Sequence, residues 1–122
     1  MNKKEKLKIK DELVKTIKEW DNMIEDGNYN TLSNIAIVLN NTEYTYTKEG
    51  EEKTRERSID NVVPKNLIGE KTVLLVYDGG NLYSIMNNEF GDTKMHRNID
   101  NIAEKHGYYW QPVYKWTSIL VK

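Results

Sequence analysis

The chain reads as an α+β protein: an antiparallel sheet of four to six strands, an amphipathic helix at the N-terminus, and a second helix before the last strand. Three observations predict this class. Apolar residues recur at helical spacing in two separate stretches, short β-rich runs lie between them, and tight-turn residues separate several of those runs. Hairpin connections favour an antiparallel sheet with its helices on one face. The length of 122 residues suits a single domain over 1–122, with residues 1–8 expected to project as a helical extension.

The elements follow in order. Residues 3–26 carry Ile9, Leu13, Ile17, Trp20 and Ile24 at three- and four-residue steps, with Val14 and Met23 widening the stripe. Gly27 offers the left-handed stop that closes a helix. The run NIAIVL from Asn34 is apolar on both faces and predicts a buried strand. Asn40 and Asn41 supply a turn, and EYTYT alternates as a second strand. KEGEEKTRERS is the most polar stretch, an exposed loop or a solvated edge, with room for an extra strand in 51–63. SIDNVVPKNLIGEK reads as an irregular connection, punctuated by Pro64 and Gly69.

TVLLVY is the strongest strand signal. Asp78-Gly79-Gly80-Asn81 predicts a hairpin turn, and LYSIM the returning strand. Asp92 is the expected cap of a helix whose apolar face is Met95, Ile99, Ile102 and Ala103, and Gly107 ends it. Residues 108–121 predict one last strand, with Pro112 marking an edge or a bulge.

Composition narrows the function classes. Hydrophobic residues make up 38% and charged residues 30%, gathered in runs that support a packed core. Eighteen basic and nineteen acidic side chains leave a net charge of -1, which provides no long-range field to recruit nucleic acid. The absence of cysteine excludes disulfides, thiolate metal sites and thiol nucleophiles. No apolar run approaches the ~20 residues that span a bilayer, and the charged start lacks the apolar stretch of a signal peptide. A cytoplasmic location is therefore expected.

Candidate site residues are few. Five of twelve aromatic residues crowd into YYWQPVYKW: Tyr108, Tyr109, Trp110, Tyr114 and Trp116. In an unbroken strand Trp110, Tyr114 and Trp116 share one face and Tyr109 takes the other, a count that a bulge at Pro112 would disturb. That face either packs under the helices or stays free to stack on a ligand. Arg55 and Arg57 in TRERS point to the same side of an extended segment and make a fork suited to phosphate or carboxylate. Glu52 and Glu56 are the alternative partners. Arg97 lies near a helix N-terminus, where anions are favoured. His96 and Asp100, four apart, supply two metal ligands, too few for a site, and no cofactor is expected. His106 suits the negative end of its helix. No elbow motif precedes any serine, and no acid–base pair stands out.

These residues favour a non-enzymatic binding protein over an enzyme. Aromatics of the last strand, with Arg55, Arg57 and Arg97 on phosphates, would hold a nucleotide-derived small molecule in a pocket at the interface of a homodimer or higher homo-oligomer. The alternative is a protein inhibitor acting through an aromatic surface patch. In size, leading amphipathic helix, antiparallel centre and aromatic-plus-arginine content (TRERS, YYWQPVYKW), the chain resembles small phage anti-Thoeris proteins that bind cyclic ADP-ribose-type signals. That resemblance implies an oligomer with recessed pockets that sequesters its nucleotide without cleaving it, in the cytoplasm of a phage-infected host, with Arg57 and the aromatic strand at the site.

Overall fold

A computed structural model describes residues 2–23, 30–57, 73–78 and 80–122. The predicted class holds: among the described residues three α-helices accompany one six-stranded antiparallel sheet of order β3-β2-β1-β4-β6-β5. In chain order these are α1 (Lys3–Met23), a 3-10 turn (Leu32–Asn34), β1 (Ala36–Leu39), β2 (Thr42–Tyr46), β3 (Glu52–Glu56), β4 (Val73–Val76), α2 (Asn81–Met86), α3 (Lys94–Lys105), β5 (Tyr109–Tyr114) and β6 (Thr117–Val121).

The helix stripe lands as its spacing requires. Ile9, Leu13 and Ile17 of α1 are fully buried, and Met95, Ile99, Ile102 and Ala103 of α3 join them. They meet the sheet residues Ile37, Leu39, Val73, Leu75, Trp110 and Leu120 in the main core. Met23 does not extend the stripe; it is 68% exposed. The first turns are seated on the sheet, because the buried Lys6 donates to Asn40 Oδ1 at 2.6 Å. The expected helix end at Gly27 lies outside the described residues, as does the 58–71 connection.

Alternation then divides the central strands. Ala36, Val38, Leu74, Val76 and Ile119 form a second apolar cluster on the opposite face, with Val113, Trp116 and Val121 packed against it. The β1–β2 hairpin turns at Asn40, whose φ of 57° is the left-handed value that asparagine tolerates. The polar stretch is a solvated edge: β3 is exposed at all five positions, EKTRE.

Three further expectations fail. LYSIM is the helix α2 rather than a returning strand, because Leu82 and Ile85 recur at helical spacing and are both buried in the main core. Gly80, at φ 83°, begins that helix; Gly79 of the expected turn lies outside the described residues. The last segment is two strands, since the chain reverses at Lys115 and Trp116 and Tyr114 pairs with Thr117. The helix α3 is capped by Thr93, whose hydroxyl accepts from the His96 amide at 3.1 Å, rather than by Asp92.

Both sheet edges are blunted. The β3 edge is lined with charge, and the β5 edge carries Pro112 beside a bulge between Pro112 and Tyr114. Each device discourages addition of another strand.

Candidate functional site

The aromatic residues of YYWQPVYKW split between the two faces. Trp110 lies opposite Leu120 and is 8% exposed, with its indole N–H donating to the Ile99 carbonyl at 3.0 Å. It is core, held under α3. Tyr109 lies opposite Val121, and Tyr114 opposite Thr117, both on the face away from the helices. Trp116 joins them: its ring stacks on Tyr114 with centroids 5.0 Å apart and planes 14° off parallel.

The expectation that Trp110, Tyr114 and Trp116 share a face is therefore corrected. The bulge after Pro112 inserts one residue, and the Lys115–Trp116 reversal begins a new strand, so the period-two count stops at Pro112. Tyr109 does point away from Trp110, as expected, and ends on the same side as the Tyr114–Trp116 stack.

Two further contacts fix this end of the sheet. Asn87, at the end of α2, donates its side-chain Nδ2–H to the Lys115 carbonyl at 2.7 Å, and the Tyr77 backbone amide donates to the Trp116 carbonyl at 2.9 Å. The hairpin tip is thus tied to both α2 and β4. Tyr109 is 53% and Tyr114 44% exposed, so their ring faces remain available for contact. Sequence reasoning missed the anchoring role of Asn87, which carries no motif.

The arginine fork exists, and it is occupied by the chain itself. Arg55 on β3 and Arg57 just past its end turn to the same side, and the β2 residue opposite Arg55 is Glu43. The Glu43 side chain is only 3% exposed. Arg55 Nε reaches its Oε1 at 3.0 Å, and Arg57 Nη1 reaches its Oε2 at 2.7 Å. The partners are neither Glu52 nor Glu56. Cross-strand spacing from an alternating glutamate to TRERS was the signal for this pair. Arg97 pairs with Asp92 at 2.7 Å on an exposed surface.

Burial pushes the Glu43 carboxyl pKa up, but hydrogen bonds and charge from Arg55 and Arg57 hold it below its ordinary value of 4.5 on balance. Glu52 shows the same outcome on the helix side. Burial again opposes, while Lys10, at 2.7 Å, and the Tyr46 hydroxyl, at 2.8 Å, draw it down. The Lys10 ammonium also sits 4.3 Å from the Tyr44 ring centre. Glu12 is lowered too, by Lys105 and His106 against its burial.

Carboxylates lowered in the folded state stabilise it above the ordinary carboxylate range, and that stabilisation is lost as pH falls through their folded pKa values. The urea midpoint should therefore drop between pH 6 and pH 3. The drop should be smaller in Glu43→Gln, which has no charge there to lose. Equal acid sensitivity of the two proteins would remove Glu43 from the account.

The arginines and the exposed rings stand at opposite ends of the sheet. Five strand spacings separate β3 from β5, roughly 24 Å. His96 Nε2 and Asp100 lie 3.7 Å apart, and no group of three or more His, Asp or Glu among the described residues is placed to hold a metal ion. Among the described residues no helix is long and apolar enough to cross a membrane. Comparison of the chain with protein-family models, curated proteins and solved structures finds no match.

Proposed function

We propose that the protein is a non-enzymatic binding protein that holds a protein partner against the aromatic end of the β5–β6 hairpin. One observation carries this reading: Tyr114 and Trp116 form a stacked pair on the same face as the exposed Tyr109, which lies roughly 16 Å away along β5, while Trp110 and Tyr108 serve the helix-side core. Rigid rings on an anchored hairpin lose little entropy on contact, the property that makes tyrosine and tryptophan frequent binding anchors. An inhibitor of a host defence enzyme is one protein that would use such a patch.

A photo-crosslinking residue placed at Tyr109 should give a discrete adduct in cells of the source organism, and one at Lys18 should not. Tyr114→Ala with Trp116→Ala should weaken the captured partner by about tenfold or more while lowering stability by only about 1 kcal/mol. A partner held equally well by that double variant rules out the patch.

Sequestration of a nucleotide-derived small molecule is a second reading. It is supported by Arg55, whose side chain stays 71% exposed while it holds Glu43, and by the exposed rings on the same face of the sheet. At roughly 24 Å they cannot meet on one nucleotide within a chain. A two-fold pairing of these faces would set β5 of one copy over β3 of the other, a closed arrangement. This reading requires a dimer, and a nucleotide-sized mass released on denaturation. A monomer in light scattering that releases no such molecule ends it.

A further inference from the structure

We propose that the outward face of α1 docks an acidic peptide segment of a partner protein, independently of the aromatic patch. At 3.6 residues per turn, Lys4, Lys8, Asp11 and Lys15 fall in one narrow sector, directly opposite the buried stripe of Ile9, Leu13 and Ile17. With Leu7 and Glu12 they line a shallow, open groove of about 490 Å3 along the helix surface.

The charges in this groove do not cancel. Glu12 is held by Lys105 at 3.0 Å and His106 at 3.2 Å, the last residue of α3 and its C-cap. Asp11 lies 3.3 Å from Lys10, which it shares with Glu52. Lys4, Lys8 and Lys15 are exposed and make no ion pair among the described residues. Three ammonium groups face two carboxylates, each already paired with a cation outside the groove, so three positive and two negative lining side chains leave one positive charge in surplus.

The occupant follows from this chemistry. The lysines form a straight row about 16 Å long, three helical turns, which an acidic helix can follow with carboxylates one turn and then two turns apart. Leu7 and the lysine stems offer apolar contact between those charges. None of the six lining residues is a ring on which a base would stack, and the whole chain carries -1, so a peptide fits this face better than a nucleic acid. The face belongs to the helix side of the sheet and the exposed rings to the other, so the molecule has two separate contact surfaces.

The test is fluorescence anisotropy at low salt with a labelled amphipathic Glu/Leu helical peptide, alongside labelled oligothymidine. The peptide should bind, and rising salt should weaken it. Lys4→Glu with Lys8→Glu and Lys15→Glu should weaken it by about tenfold or more, with the melting temperature unchanged. The alanine set at the same positions should give a smaller loss and guards against misfolding of the charge-reversed protein. Tyr114→Ala with Trp116→Ala should leave this binding intact, which separates the result from the fate of the aromatic patch. No peptide binding, undiminished binding by both lysine variants, or binding of oligothymidine in place of the peptide would overturn the proposal.

Discussion

Trp110→Ala should be among the most damaging single substitutions in this protein, lowering unfolding free energy by about 3–5 kcal/mol. The indole fills the space between α3 and the β5–β6 hairpin, and its N–H donates to the Ile99 carbonyl. Alanine leaves a cavity there and removes the second hydrogen bond that the Ile99 carbonyl accepts beside its bond within α3. Domains of this size typically hold only about 5–15 kcal/mol, so the variant should sit close to the threshold of unfolding at 37 °C. Urea unfolding checks this, and Trp116→Ala is the natural comparison, because its ring lies on the other face and stacks on a half-exposed tyrosine. Equal losses at 110 and 116 would mean that the two faces are misassigned.

Arg55→Ala combined with Arg57→Ala should cost about 3–5 kcal/mol at pH 7, an effect out of proportion to two substitutions on an exposed edge strand. The cost arises at Glu43, whose carboxylate would be left buried and without its two cations. Adding Glu43→Leu to the double variant should restore most of the loss, because removing the charge removes the desolvation penalty. Arg57→Ala alone should cost more than Arg55→Ala alone, since Arg57 makes the shorter contact and is itself 28% exposed against 71%. A double variant within about 0.5 kcal/mol of the parent would show that the fork is not structural, and would return both arginines to the search for a ligand.

Much of the fold was legible because its signals were local. The α1 and α3 stripes are repeated many times within one element, so a single exception such as Met23 does not change the assignment. The strand β1 and TVLLVY are apolar on both faces because both faces of the central strands are covered, and that too is written in consecutive residues. LYSIM was misread because a five-residue apolar run fits a strand or a helix equally well; burial of Leu82 and Ile85 against the core settled the matter. The final hairpin was invisible because its reversal uses Lys115 and Trp116, neither of which is a turn residue.

The candidate site was legible in composition and misread in geometry. The ring cluster and the arginine pair were both identifiable, and Arg55 and Arg57 do share a side. What they grip is a carboxylate on a neighbouring strand, and strand order cannot be read from either segment alone.

The sequence by itself determined the class of this protein, its helix faces, its buried central strands and the residues worth testing, because each depends on periodicity within a few turns or a few strand residues. Only the tertiary structure decided which rings are core and which are exposed, what fills the arginine fork, and how far apart the two lie. Those outcomes depend on strand order, on one bulged residue and on register, and a shift of one position in any of them turns a side chain to the other face.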